Sequence, residues 1–340
     1  MSITANLTTL KQYSDYLQPA YNNFPYGRFV SLIVIRKTES ETIFRTEGSG
    51  EGLVKEVVMA GEKEAKPIRR VMISKRKQTA VERRTGRELL REHGLLKMVT
   101  VNKVEQPCSL NTNAPCGKCI DCMLYGYAVG GGGAQKSRVM TDDAYSIGPV
   151  AQVTSKRTFN ATFDNGTMRN PFDNKPSTSI NEDEYVLPET HFLDIETLKD
   201  VTLGELQYVI GNMLRSSRYG AISSRLGRIR NTLTAVIFSD TEIFSNLELT
   251  QVAYDILKEK GKEKGEDEEL PFPLSDEDVR TAVEEATDRL LDRVIGRTPT
   301  ILRGNPLERV REETLVLYRN PDDVKAFLQE IDKGYPNGSK

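Results

Sequence analysis

The 340-residue sequence contains no tryptophan and only two histidines, His93 and His191. With only two histidines, the sequence does not favour a histidine-based catalytic triad or a multi-histidine metal centre. No stretch approaches the roughly 20 apolar residues that span a bilayer, and the start of the chain lacks the basic and apolar regions of a signal peptide. Neither a P-loop motif nor a dinucleotide-binding glycine motif after a strand occurs. These absences predict a cytoplasmic protein that makes no membrane contact.

The formal net charge of −2 conceals three strongly charged stretches. Residues 66–103 carry twelve Lys or Arg against three Glu, and residues 215–230 carry five Arg and no acid. Residues 259–292 carry thirteen acids against five bases. Because local fields attract a polyanion more than net charge does, the two basic tracts favour binding of a nucleic-acid backbone, and of RNA in particular.

Apolar periodicity and breaker residues predict two successive units of strand, helix and strand. The predicted segments are a strand over 28–36, a helix over 79–96, a strand over 97–104, a short strand from Arg138, an extended segment over 185–195, a helix over 202–214 with a capping-box start, and a strand over 232–239. This order is the βαββαβ pattern of ferredoxin-like and RRM domains, and RRM sheets commonly bind RNA.

The predicted fold class is α+β, an RRM/ferredoxin-like palm with large insertions and a helical C-terminal part. We expect an N-terminal segment over 1–27, the palm over 28–257, and a charged linker followed by helices over 258–340. Within the palm, residues 105–130 form a cysteine-bearing insert and residues 151–184 form a long hairpin rich in turn residues.

All four cysteines lie in one stretch, as Cys108, Cys116, Cys119 and Cys122. This spacing puts four thiolates within reach of one tetrahedral ion and leaves no open coordination position. A structural zinc ion is therefore the leading interpretation. An iron–sulfur cluster and unliganded reduced thiols are the alternatives, and disulfides are not expected in a cytosolic protein.

The first basic tract presents Lys75, Arg76 and Lys77 just before the predicted helix, and Arg83, Arg84, Arg87 and Arg91 within it. Arg83, Arg87 and Arg91 recur every four residues, and like charges at that spacing on a helix repel each other. A bound anion would relieve the repulsion, so we predict contacts with phosphates. The alternative is a solvated helix face balanced by neighbouring glutamates.

In the second basic tract, arginines alternate with serine, glycine and one tyrosine. Arg218, Arg225 and Arg228 are predicted to pair with phosphate oxygens, and Tyr219 to stack on a base. The alternative is an ordinary loop before a strand. The same two interpretations apply to the residues after the four-glycine run 130–133, which are Gln135, Lys136, Ser137 and Arg138.

The long hairpin interleaves Lys156 and Arg157 with aromatic residues, which either insert between bases or anchor the hairpin to the core. Asp142, Asp143 and Asp183 are the candidates for binding magnesium in phosphodiester cleavage. Acidic residues that flank strands at the surface are far commoner than such sites. We therefore expect a protein without catalytic activity.

Four segments together resemble the CRISPR-associated RAMP superfamily, specifically the Cas-seven-type backbone subunit of the type I-D Cascade effector complex. They are ISKRKQ, GGGGAQKSRVMTDDAYSI, YVLPETHFLDIETLKDVTLGELQYVIGNML and RYGAISSRLGRIR. The glycine loop and the SRV element support the superfamily, and the cysteine insert supports the subtype.

The resemblance implies an RRM-like palm with a β-hairpin thumb, and copies that assemble side by side along the spacer of the CRISPR RNA. The implied partners are CRISPR RNA, target DNA or target RNA paired with this guide, further copies of the chain and other subunits. Palm contacts would fall on Lys75, Arg76, Lys77, Arg138, Arg218, Arg225 and Arg228, and the thumb would run through 156–169.

Two other functions remain open from the residues alone. One is a metal-dependent nuclease that cuts target RNA or single-stranded DNA at regular intervals. The other is a zinc-stabilised adaptor whose basic tracts bind an acidic protein.

Overall fold

The computed structural model describes residues 6–44, 52–101, 103–109, 114–129, 133–160, 162–178, 180–220, 227–263 and 269–336. The fold is α+β, as the sequence predicts, with helices packed on a curled antiparallel sheet. None of the helices in these ranges is long and apolar enough to cross a membrane.

The helices are α1 (Thr8–Lys11), α2 (Lys75–Glu92), α3 (Ile120–Tyr125), α4 (Val150–Val153), α5 (Leu203–Arg215), α6 (Asn246–Glu263), α7 (Asp276–Leu291), α8 (Asn305–Arg319) and α9 (Pro321–Lys333). The strands are β1 (Phe29–Thr38), β2 (Lys55–Met59), β3 (Pro67–Ile73), β4 (Met98–Val101), β5 (Val104–Pro107), β6 (Tyr127–Val129), β7 (Gly133–Gln135), β8 (Val139–Thr141), β9 (Ala144–Ser146), β10 (Thr154–Asn160), β11 (Ile180–Val186), β12 (His191–Lys199), β13 (Arg218–Tyr219), β14 (Gly227–Ser239) and β15 (Thr300–Leu302).

The main sheet has the strand order β13-β14-β1-β12-β9-β3-β2, with β15 beside β14 and β8 beside β12. Its centre is β1, which pairs antiparallel with β12 on one side and with β14 on the other. Every residue of β1 is buried, as its apolar, β-branched sequence predicts. Because side chains alternate along a strand, Leu32 and Val34 enter one core and Ile33 and Ile35 enter another.

Helices cover both faces of the central strands. Side chains from α2, α3, α5, α8 and α9 pack with Leu32 in one core. On the opposite face, residues of α6 and α7 such as Leu249 and Val283 pack with Ile33. A nucleic acid therefore cannot lie across the middle of this sheet as it does in many RRM domains, and contacts must come from edges, loops and helices.

Several predicted elements are confirmed. The strand over 28–36 is β1, and the helix over 202–214 is α5. In the region of the hairpin expected over 151–184, β10 pairs with β11, which runs on to Val186. At the start of α5, the Thr202 hydroxyl accepts a hydrogen bond from the Glu205 amide, and the Glu205 carboxylate accepts one from the Thr202 amide. This is the capping box that the sequence predicts.

The predicted strand over 97–104 is wrong as a member of the main sheet. This stretch turns back on itself, so that β4 and β5 form a separate two-stranded hairpin. Met98 and Val104 are 57% and 64% exposed, so the hairpin has no buried face like that of β1. The place beside β12 is taken by β8 and β9.

Two further stretches differ from the sequence-based expectation. The polar connection after β1 contains β2 and β3, which extend the sheet. The predicted linker from residue 258 begins inside α6, because Ile256 and Leu257 continue the apolar face of that helix onto the sheet. Residues 264–268 of the linker lie outside the described residues.

Candidate nucleic-acid interface and metal centre

The four predicted cysteine ligands come together at the start of α3. The sulfur atoms of Cys108, Cys116, Cys119 and Cys122 all lie within 4.8 Å of one another. Three of the distances are 3.5 Å for Cys108–Cys122, 3.9 Å for Cys116–Cys122 and 3.9 Å for Cys108–Cys119. Sulfurs that share one tetrahedral zinc ion at about 2.3 Å stand about 3.8 Å apart, so the set fits a single ion.

Backbone and side-chain donors surround these sulfurs. The amide of Cys116 donates to Cys108 Sγ at 3.3 Å, and the amide of Cys119 donates to Cys116 Sγ at 3.2 Å. Hydrogen bonds among the thiols hold the pKa of Cys108 well below its ordinary value and raise the pKa of Cys119 and of Cys122. A thiolate, the form that binds metal, is therefore favoured at Cys108.

Two arginines of the first basic tract turn inward onto this cysteine centre. Asp121, 1% exposed in α3, accepts from Arg83 Nε and Nη2 at 2.9 Å each and from Arg87 Nη1 at 2.7 Å. The anion that relieves the repulsion along α2 is thus a carboxylate of the same chain. Arg83, predicted to contact RNA, is committed to this pair.

The two basic tracts meet in the structure although they are far apart in sequence. Thr85 of α2 and Ser216 after α5 share a hydrogen bond of 2.9 Å. Tyr219 of β13 donates to Glu82 of α2 at 3.0 Å. The two tracts are therefore held together by contacts of α2 with β13 and with the segment that leads into β13.

The predicted contact residues Lys75, Arg76, Arg84, Lys136 and Arg218 stand exposed on the surface. Lys77 and Gln135 are half-buried, and the Gln135 amide donates to the carbonyl of Lys136 at 3.3 Å. Arg228 is exposed and pairs with Glu39 at 2.9 Å. Arg225 lies outside the described residues.

Two other predicted contacts, Arg138 and Tyr219, are buried, and a third, Ser137, is half-buried. Arg138 is 9% exposed, donates to Glu205 and the carbonyl of Asp200, and stacks over Tyr21. Ser137 donates to the carbonyl of Val139 at 2.6 Å. Tyr219 is 1% exposed, so its ring presents no face on which a base could stack. These residues support the surface instead of forming it.

The hairpin residues Lys156 and Arg157 are exposed but have partners within the chain. Lys156 pairs with Glu182 at 2.7 Å, and Arg157 pairs with Glu41 at 2.5 Å while lying over the Tyr185 ring. Phe172, in the loop between the two strands, is 96% exposed. The aromatic residues therefore divide between an anchor at the base and an exposed ring in the loop.

The candidate magnesium ligands do not gather into a site. Among the described residues, the cysteines are the one group of three or more His, Cys, Asp or Glu side chains close enough to share an ion. Asp143 accepts the amide of Lys75 at 2.8 Å, at the start of α2. Asp183 is buried in the hairpin strand β11, where it is paired opposite Arg157.

A buried ionic cluster beneath α2 was missed from the sequence. Arg36 of β1 is fully buried and donates to Asp194 at 2.8 Å, Glu196 at 2.6 Å and Glu82 at 2.9 Å. The signal available in the sequence is an arginine at the end of an apolar strand, and two acids at the end of the extended segment predicted over 185–195: Asp194 within it and Glu196 just after it. Nothing in either pattern reveals that they face each other across neighbouring strands.

Comparison with known proteins gives the family. The family profile described as Csc2 Crispr matches residues 16–328. The chain belongs to the Csc2 family. This confirms the resemblance of the sequence to CRISPR-associated Cas-seven-type subunits. The residues that match the Csc2 profile include the main sheet, the cysteine centre and most of the C-terminal helices.

Two solved structures show a fold similar to that of this Csc2 chain. The crystal structure of Thermofilum pendens Csc2 is 17% identical, with a TM-score of 0.53 and complete coverage of both chains. A chain of a CRISPR RNA-guided surveillance complex, pre-nicking, is 9% identical, with a TM-score of 0.50, and the match covers 85% of this chain and 99% of that one. No curated protein matches the sequence.

Proposed function

We propose that this chain is the CRISPR RNA-binding backbone subunit of a type I-D Cascade surveillance complex. In this role, copies assemble along the guide RNA and support recognition of target DNA in antiviral defence. The observation that carries the proposal is the contact between the two basic tracts at Tyr219 and Glu82, which joins α2 to β13.

The strand order supports an RRM-like palm with insertions. In the chain, α2 follows β1, and α5 lies between β12 and β14. The strands run in the order β14-β1-β12-β9, which is the fourth-first-third-second order of a βαββαβ unit. In this proposal the hairpin of β10 and β11 is the thumb, and its exposed Phe172 is the ring placed to meet bases.

The proposed RNA contacts are the residues whose side chains reach the surface. They are Lys75, Arg76, Lys77, Arg84, Gln135, Lys136, Arg218 and Arg228, with the thumb residues Lys156 and Arg157. Arg225, which lies outside the described residues, is proposed as a contact from the sequence alone. Cations on phosphates position a strand without reading its sequence, so the same subunit can hold any guide. This suits a scaffold better than a sequence-specific receptor.

We propose a structural zinc ion at the cysteine centre. Four thiolates saturate a tetrahedral ion, so no position is left for a substrate or an activated water. The sulfurs also lie closer together than they would around a cluster of several irons. The ion supplies local folding energy to the insert.

Charge reversal at the start of α2 tests the proposed RNA surface. The variant Lys75→Glu/Arg76→Glu/Lys77→Glu should purify without the RNA that accompanies the unmodified protein. The matched control is Arg309→Glu/Arg319→Glu/Lys325→Glu, which makes the same charge change at exposed positions of α8 and α9 and should keep the RNA. Equal RNA content in both variants would remove this surface from the proposal.

A second assay separates a scaffold from a nuclease. The assembled protein is incubated with labelled target RNA and single-stranded DNA, with and without magnesium. A scaffold leaves both substrates intact. Magnesium-dependent cleavage that disappears in Asp142→Ala or Asp183→Ala would favour the nuclease instead.

A further inference from the structure

Two of the three evenly spaced arginines of α2 have a role other than the one their sequence pattern predicts. We infer that Arg83 and Arg87, acting through Asp121, hold the cysteine ligands in place and set the metal affinity of the centre. They do not contact the nucleic acid. This inference rests on the zinc site proposed above and adds the residues that support it.

Asp121 ties the metal ligands to the basic helix. It lies in α3, next to Cys122 and two residues after Cys119, and both of its carboxylate oxygens are used by the α2 arginines. A planar guanidinium that meets both carboxylate oxygens fixes direction as well as distance. The clamp therefore orients the short helix that follows Cys119 and carries Cys122.

Arg87 also reaches the first ligand of the centre. Its Nη1 lies 3.7 Å from Cys108 Sγ, and its Nη2 donates to the Cys108 carbonyl. Four thiolates around one divalent ion carry a net local charge of −2, by the charges of the groups alone. A guanidinium at one of these sulfurs offsets part of this charge, and its fork holds the Cys108 backbone.

Arg83 secures the other end of the insert. Its Nη2 donates to the carbonyl of Gly126 at 3.0 Å, directly after α3. Gly126 has a positive φ of 76°, and a Cβ there would lie 2.5 Å from the carbonyl oxygen of Gln135. The chain therefore makes a tight reversal at this point, and Arg83 pins it against α2.

The helix itself provides matched controls. Arg91 continues the four-residue spacing of Arg83 and Arg87 but is exposed, and Arg84 is exposed next to Arg83. Arg87→Gln, Arg91→Gln and Arg84→Gln each remove one positive charge from the same helix. Asp121→Asn keeps the shape of the carboxylate side chain and removes its charge.

The experiment measures zinc affinity by competition with a chromogenic chelator in reduced buffer. We expect Arg87→Gln and Asp121→Asn to bind zinc about 10- to 100-fold more weakly, the usual effect of losing a group that orients a ligand. Arg91→Gln and Arg84→Gln should match the unmodified protein. Wild-type affinity in Arg87→Gln or in Asp121→Asn would overturn the inference.

Two further readouts separate this role from general destabilisation and from RNA contact. In the Co²⁺-loaded protein, the sulfur-to-metal charge-transfer band should shift in Arg87→Gln, because Cys108 Sγ loses a donor, and should stay in place in Arg84→Gln. The RNA affinity of zinc-loaded Arg87→Gln should equal that of the unmodified protein, while Arg84→Gln weakens RNA binding. An RNA defect in zinc-loaded Arg87→Gln equal to that of Arg84→Gln would contradict the inference. Unmodified protein that binds no zinc would instead overturn the zinc site itself.

Discussion

The hydroxyl of Tyr219 donates to Glu82 Oε1 at 3.0 Å, across 137 residues of sequence. The hydroxyl oxygen of Tyr219 in turn accepts from Arg36 Nη1 at 3.1 Å and from Asn231 Nδ2 at 2.9 Å. One buried phenol therefore links α2, β1, β13 and β14. It fixes the relative position of the two basic tracts by a contact that is itself hidden from solvent.

Tyr219→Phe should destabilise the fold by about 1–3 kcal/mol, because it leaves buried polar partners without the hydroxyl. Equilibrium unfolding in urea measures the loss. Tyr26→Phe is the control, since Tyr26 is 59% exposed, and it should change the unfolding free energy little. If the two variants are equally stable, the hydroxyl does not link the tracts energetically.

Glu196 provides a pH-dependent test of the ionic cluster around Arg36. Burial raises the pKa of Glu196 well above its ordinary value, and the nearby Glu82 carboxylate raises it further, while Arg36 opposes both effects. The folded protein thus keeps a proton that the unfolded chain releases above a pKa of about 4.3. The contribution of Glu196 to the unfolding free energy is therefore fully present below about pH 4.3 and is lost as pH rises through the folded-state pKa.

Glu196→Gln remains neutral at every pH and keeps an oxygen to accept from Arg36. From pH 5 to pH 8 the unmodified protein should lose stability as Glu196 is driven to ionise, whereas the variant should not. The unfolding free energy of the variant minus that of the unmodified protein should therefore be larger at pH 8 than at pH 5, both of which lie above the unfolded-state pKa of about 4.3. Urea unfolding of both proteins at the two pH values measures this difference. Parallel pH profiles would show that Glu196 is already ionised in the folded state.

The sequence predicts the cations of α2 well and their partners poorly. The helix, its arginine spacing and the need for an anion all follow from periodicity and charge. That the anion is Asp121 does not follow, because this residue reaches α2 through a hairpin and a cysteine insert whose path is set by tertiary packing. Likewise, Arg138 looks identical in type to Arg84, and their different exposure depends on Glu205 being placed by the α5 capping box.

The features that the sequence predicts correctly depend on residues that lie close together in the chain. The strand β1 and the helix α5 are determined by local sequence, β1 by its β-branched apolar residues and α5 by its capping box. The cysteine centre is also local, since its four ligands lie within one short stretch. By contrast, β2 and β3 extend the sheet at its edge, where half-exposed strands lack a strong apolar pattern.

Salt dependence tests whether exposed α2 arginines contact phosphates. Removing one phosphate contact on a single strand should lower the slope of log affinity against log salt by about 0.7, so Arg76→Gln/Arg84→Gln should lower it by about 1.4. Fluorescence anisotropy with labelled RNA over a salt series measures the slope. The control Arg309→Gln/Arg319→Gln on α8 should leave it unchanged, and an unchanged slope in the α2 variant would contradict the assignment.

Gly86 gives a test in which helix propensity and packing predict opposite results. Replacing a glycine inside a helix by alanine ordinarily stabilises by about 0.5–1 kcal/mol. In α2, however, a Cβ at Gly86 would lie 2.3 Å from the Tyr208 hydroxyl and 2.5 Å from Asn212 Nδ2, and both side chains are fully buried. Neither can move into solvent, so α2 would have to lift from α5. Gly86→Ala should therefore destabilise by about 1–3 kcal/mol, the usual effect of overpacking.

Ala80→Gly measures helix propensity alone at a half-buried position of the same helix, and it should destabilise by about 1 kcal/mol. Both variants are compared with the unmodified protein by urea unfolding. A glycine that merely weakened the helix would make Gly86→Ala more stable. If Gly86→Ala and Ala80→Gly both lower the unfolding free energy, the close contact between α2 and α5 requires glycine at residue 86. This contact then helps to hold the basic helix in place.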